Sequence, residues 1–141
     1  MKRIFVLIVA ILALFSNIGS VSAADAQSYR ASLTLSRYGA EIYSGERKCE
    51  VIISYDVKAS LEADSVGVES IVFYTGDGNQ IAKVTGTTQN GLVKTNNDNH
   101  GGDFEMILSC GRYYYAEVTV FARIGTNYDS RTVTTSTVWV G

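Results

Sequence analysis

Over residues 113–122 the chain alternates without a break. Tyr114, Ala116, Val118, Val120 and Ala122 share one side, and Tyr113, Tyr115, Glu117, Thr119 and Phe121 share the other. A period of two sends successive side chains to opposite faces of a strand, whereas a helix needs apolar residues at a 3.6-residue period. Beyond the first 23 residues no window carries a helical stripe, so the pattern predicts an all-β chain.

Residues 48–59 repeat the pattern. Cys49, Val51, Ile53, Tyr55, Val57 and Ala59 fall on one side; Lys48, Glu50, Ser54, Asp56 and Lys58 fall on the other, with Ile52 the apolar exception. That is a half-buried strand with its odd positions inward. Residues 29–35 alternate more weakly and predict a first strand, with residues 37–47 a polar connection containing Gly39 and Gly45. Residues 66–75 form another strand, whose centre Ile71-Val72-Phe73-Tyr74 is apolar on both faces. Gly76 and Gly78 mark a tight turn before a short strand over residues 80–85. Residues 87–102, rich in Thr, Asn, Asp and Gly, read as a long loop around a weak edge strand. Alternation resumes over 103–109, with Phe104, Met106 and Leu108 inward. Gly125-Thr126-Asn127 turns the chain into a last strand over 131–140. Seven or so short strands of this kind predict an antiparallel two-sheet sandwich, with a small β-barrel as the alternative.

The N-terminus has the zones of a secretory signal peptide. Lys2 and Arg3 precede a run of twelve apolar residues, and Val21-Ser22-Ala23 supplies small residues at a cut site. The run is shorter than the roughly 20 residues that span a bilayer core, so a cleaved signal over 1–23 and a single released domain over 24–141 are expected. Without Lys2 and Arg3, ten basic residues face fourteen acidic ones, a net charge of −4 with no basic block. Nucleic acid and anionic membrane surfaces are therefore poor partners. Proline is absent, which removes one common protection of edge strands.

Cys49 and Cys110 both lie in the exported part, and one even pair in an oxidising compartment reads as one disulfide. A lone histidine, His100, in a predicted loop argues against a Cys/His catalytic pair or a zinc site. Asp98, Asp103 and Glu105 crowd the same region, but no calcium-loop motif is present and the segment reads as solvated loop. Paired carboxylates would need a cleft that a sandwich of this size has little room for. No nucleophile elbow or phosphate loop occurs. No enzymatic activity, cofactor or metal site is expected.

The run Leu108-x-x-Gly111-x-x-Tyr114-x-Ala116-x-Val118-x-Val120 resembles the corner between the fifth and sixth strands of fibronectin type III domains. In that family the leucine ends a strand, the glycine turns the chain, and the tyrosine is buried with its hydroxyl bonded to upstream backbone. The resemblance implies that Tyr114, rather than Tyr113 or Tyr115, has this structural role. Ile53-Ser54-Tyr55-Asp56 is similar to the family's second-strand motif, with Tyr55 where a tryptophan usually stands. Proline is absent and a cysteine pair is added, so the resemblance implies the broader immunoglobulin-like sandwich. In that topology Cys49 and Cys110 fall at the same end and both face inward, which agrees with a bond between them. More loosely, the chain resembles small secreted immunoglobulin-like proteins of Gram-positive bacteria. That likeness implies bacterial export and the fold, and no activity.

With Tyr114 inward, Tyr113, Tyr115 and Phe121 face away from the core. With Val138 and Val140 inward, Trp139 also faces away and comes near them. The strand over 66–75 is expected to add Ile71 and Phe73 to this outer face. Aromatic rings offer contact area with a polar handle, and monomers rarely expose a large contiguous apolar patch without a use. The competing expectation is that the rings only stabilise the sheet as cross-strand pairs, or are covered. The sequence thus points to a secreted interaction module that uses Tyr113, Tyr115, Phe121, Trp139 and Phe73 against an extracellular protein or glycan. A self-associating structural surface protein is the alternative. An enzyme or a secreted antibacterial polypeptide is the least supported class.

Overall fold

The computed structural model describes residues 34–141. The expected signal, and the strand expected over 29–35 apart from its end, lie outside the described residues. Seven antiparallel strands follow: β1 (Leu35–Ser44), β2 (Glu50–Thr75), β3 (Gln80–Thr85), β4 (Val93–Ile107), β5 (Arg112–Ile124), β6 (Asn127–Thr134) and β7 (Val138–Val140). No helix occurs among the described residues. The fold is all-β, as the period of two predicts.

The strand β2 organises the rest. Its first part pairs β1 on one edge and β4 on the other; its second part pairs β5 on one edge and β3, after the end of β4, on the other. β6 and β7 then line the far edge of β5 in succession. The result is one hydrogen-bonded sheet that curls over, so that its two halves enclose a shared core. Ile42, Val51, Ile53 and Val57 from the first half join Ile71, Phe73, Tyr114, Val118, Val120 and Val140 from the second. Joined through β2, the halves combine a sandwich's two layers with part of a barrel's closure.

The two strands expected over 48–59 and 66–75 are thus a single strand, and its inward phase changes twice. Odd positions face inward from Val51 to Ala59 and again at Ala63, with Leu61 between them exposed; even positions face inward at Val66 and Val68, and odd positions again at Ile71, Phe73 and Thr75. The second change has its cause in the pairing: the register against β5 shifts between Val68 and Ser70, where Glu69 is one extra residue. One inserted residue reverses every side chain that follows it. Ile71 and Phe73 therefore enter the core, contrary to the expectation that they join the outer face.

Two predicted connections are strands. Residues 37–47 hold most of β1, in which Ala40 and Ile42 face inward. A bulge between Leu35 and Arg37 breaks the alternation that would have revealed it. Residues 87–102 hold a turn and then the first part of β4, paired along its length with β2. As a polar edge strand, β4 lacks the apolar contrast that marks a buried one, although Leu92, just before it, is fully buried. The last strand starts earlier than predicted and is interrupted after Thr134. There buried Thr135 turns its hydroxyl to accept from Ala116 N at 2.9 Å, while its own N–H donates to Ala116 O.

The Cys49–Cys110 disulfide is present, with Cα atoms 4.8 Å apart. The inward placement expected for both cysteines holds for Cys49, which is half-buried and packs against the core, but not for Cys110, which is exposed. Cys49 has left-handed backbone (φ 62°), so the alternation of β2 begins only after it. Around the bridge, Leu108 N donates to Cys49 O and Gly111 N to Val140 O. Tyr114 is buried, and its hydroxyl donates to Ser109 O at 2.8 Å.

Glu50, expected on the solvent side of its strand, is only 4% exposed. The turn between β1 and β2 folds over it, and Gly45 leaves the space; a Cβ there would sit 2.3 Å from the Glu50 carboxylate. Arg47 donates to this carboxylate from its main-chain N (3.0 Å) and from Nε (2.6 Å). These bonds hold the Glu50 carboxyl below its usual range. A depressed carboxyl stabilises the fold fully above its unfolded value and loses that contribution as pH falls through the folded value. Glu50→Gln is therefore expected to lower Tm at pH 7, with the gap to wild type narrowing as pH drops below the usual carboxylate range. A gap that stays constant in thermal melts down that series would show that the carboxylate charge is not involved.

Candidate binding face

The outer faces of the two halves differ in chemistry. On the first half, Glu41, Ser54, Asp103, Glu105 and the Arg37–Asp56 ion pair at 2.8 Å surround an exposed ring, Tyr43, whose hydroxyl donates to Glu41. On the second half the pleat turns Tyr74 of β2, Tyr113 and Tyr115 of β5 and Trp139 of β7 outward. The register then sets Tyr74 opposite Tyr115, and Tyr113 opposite Trp139. Tyr74 and Tyr115 stack with centroids 5.1 Å apart and planes 10° apart. Tyr113 and Trp139 meet edge to face at 4.9 Å and 62°. Such geometries suit the quadrupoles of the rings. The Tyr74 hydroxyl donates to Glu117 Oε2 at 2.9 Å, and this carboxylate raises the phenol's pKa. Cross-strand stacking leaves the edge-to-face pair open: Tyr113 is 56% exposed and Trp139 is 50% exposed.

Of the five residues expected to bind, the structure brings three together here: Tyr113, Tyr115 and Trp139. Phe73 is not among them, being fully buried on the core side of the sheet between its register partners Ala82 and Ala116. Phe121 has the outward phase but is only 9% exposed. It lies opposite Gly67, and the Tyr128 ring covers it at 5.9 Å. Tyr128 is held in place by its own bond to Glu69 Oε2 (2.8 Å) and by the Arg123 guanidinium 5.4 Å from its ring. Sequence reasoning passed over Tyr74 because its strand is apolar on both faces, and Tyr128 because it follows a turn.

Beside Trp139 and Tyr113 the turn between β2 and β3 completes an open groove of about 370 Å³, lined also by Thr75, Gly76, Asp77, Gly111 and Arg112. The turn is fixed by Thr75 N donating to Asn79 O (2.9 Å) and Gly76 N to Tyr113 O (2.7 Å). Hydrogen bonding from Thr75 and main chain, with Arg112 nearby, holds the Asp77 carboxyl below its usual range, and Asn79 Nδ2 bonds it at 2.8 Å.

Tyr55 and His100 have a different setting. Tyr55 is buried and its hydroxyl donates to Gly91 O at 3.1 Å; His100 Nε2 lies 2.6 Å from the same oxygen. Together they tie the turn before β4 to the core, and burial pushes the Tyr55 phenol pKa up. His100, Asp98, Asp103 and Glu105 stand on β4 rather than in a loop. Among the described residues, no three Asp, Glu, His or Cys side chains converge on a position for a metal ion.

These features define an all-β, disulfide-bonded protein whose paired, half-exposed aromatic rings lie on the outer face of its second half. No protein-family model matches the chain, and no curated protein is significantly similar to it in sequence.

Proposed function

We propose that the protein is a secreted, immunoglobulin-like interaction module that binds an extracellular partner through the aromatic face of its second sheet half. The observation that carries this reading is the half-exposed Tyr113–Trp139 pair beside the Tyr74–Tyr115 stack. Two large rings left in water on a fixed strand pair are surface that a partner can desolvate, and Trp and Tyr dominate binding energy at interfaces. The strands hold these rings in place, so little side-chain entropy is lost on binding. Export is supported by the leader-like N-terminus and by a disulfide, which persists in oxidising compartments.

A probe array carrying both glycans and extracellular proteins tests the reading. Wild type is expected to be retained on at least one probe, and the double variant Tyr113→Ser/Trp139→Ser to lose at least tenfold of that affinity, about the effect of removing two hot-spot rings. Retention of the double variant at wild-type strength would sink the proposal. Sedimentation at high protein concentration addresses the alternative, a structural protein that self-associates through this face; a strict monomer there excludes it.

A further inference from the structure

We infer that the groove between the β2–β3 turn and β7 takes a neutral glycan; this rests on the aromatic face being the binding face and names its ligand class. A pyranose ring has two unlike surfaces. Its flat faces present C–H groups, which are attracted to the negative face of an aromatic ring, and its rim presents hydroxyls that need donors and acceptors in one plane. The groove supplies both. Trp139 and Tyr113 form an apolar wall, set at an angle of 62° and half-exposed. Asp77 supplies a carboxylate acceptor, Arg112 supplies guanidinium donors, and both line the same groove.

The polar side is already organised. Asn79 Nδ2 bonds one Asp77 oxygen at 2.8 Å, and Thr75 and main chain also bond the carboxylate, so its position is fixed before any ligand arrives. Pre-organised groups of this kind lose little freedom on binding. Charge decides among ligands. Arg112 acts on Asp77 electrostatically, so the two charges offset each other across the groove. An anionic ligand would meet Asp77 and a cationic one Arg112, whereas a neutral polyhydroxyl chain can bond to both.

In the turns beside the groove the main-chain donors are already used: Gly76 N donates to Tyr113 O (2.7 Å), Gly78 N to Thr75 O (2.8 Å) and Gly111 N to Val140 O (2.7 Å). Recognition by these turns therefore rests on their side chains. The volume of about 370 Å³ falls at the small end of ligand sites, about 300–1,000 Å³.

Trp139 is the only tryptophan in the chain, so its fluorescence reports on this groove alone. The purified protein is titrated with neutral hexasaccharides of β-1,4-glucose, β-1,4-N-acetylglucosamine and α-1,4-glucose. A hexagalacturonate and a polyproline decapeptide form two comparison arms. The expected result is a saturable change in Trp139 emission with at least one neutral hexasaccharide. Asp77→Ala and Tyr113→Ala are each expected to weaken it about tenfold or more, the range of a well-placed contact. Thr132→Ala, on the same outer face but away from the groove, should titrate as wild type, and thermal melts confirm that each variant is folded. A response only to the peptide or the uronate would overturn the neutral-glycan assignment while leaving the aromatic face as a binding face. No response to any probe would overturn both, as would Asp77→Ala and Tyr113→Ala variants that titrate like wild type.

Discussion

Phe73→Ala is expected to destabilise the protein by about 3–5 kcal/mol, the usual cost of deleting a buried phenylalanine. Phe73 has no exposed surface and belongs to the core cluster that both halves of the sheet share. Its removal loses the transfer energy of the ring and leaves a cavity that closely packed strands cannot fill. Domains of this size have a total stability of about 5–15 kcal/mol, so the variant retains only part of its margin. Urea or guanidinium unfolding measures the change directly. An outward Phe73 would behave differently, because surface substitutions usually fall within about 0.5 kcal/mol. A measured loss below 1 kcal/mol would contradict its placement in the core. Binding by the folded variant should be close to wild type.

Replacing both cysteines, Cys49→Ala/Cys110→Ala, is expected to cost about 4 kcal/mol by the loop-closure entropy of the unfolded chain. The bridge spans a sequence separation of 61 residues. Beside it, Cys49 N donates to Gly141 O at 3.3 Å. Because Cys110 is exposed, a reductant should open the bridge in the folded protein. Wild type in reductant should then unfold at the same denaturant concentration as the double variant. If the oxidised protein and the double variant share one midpoint, the bridge contributes nothing to stability and the expectation fails.

Much of this fold is legible in the sequence, and the boundary of what is legible has physical causes. The alternation of residues 51–59 and of residues 113–122 identifies two strands and their buried sides, because burial of one face imposes a period of two. Gly76 and Gly78 mark the turn before β3, and the cysteine pair marks the bridge. The edge strands are less legible. In β1 a bulge breaks the period, and in β4 polar side chains erase the contrast between faces. Edge strands can be polar because their register is held by the neighbour, here β2, rather than by a buried side of their own.

The candidate site divides in the same way. Tyr113, Tyr115 and Trp139 follow from local parity alone, since each sits next to residues whose inward direction is unmistakable. Phe73 and Phe121 needed the folded structure. The extra residue Glu69 reverses the phase ahead of Phe73, and whether a bulge forms depends on the partner strand as well as on the strand itself. Phe121 does point outward, but Tyr128, fixed by Glu69 and Arg123, covers it. Asp77 and Arg112 lie far apart in sequence and become neighbours only because β2 and β5 pair antiparallel.

By itself the sequence determined an all-β chain, a disulfide and the direction of the side chains over residues 51–59 and 113–122, because alternation is a property of adjacent residues. Which aromatic rings stay in water, and which charged groups stand beside them, was decided only by the tertiary structure. Solvent exposure depends on what packs over a side chain, and those atoms come from residues distant in the chain.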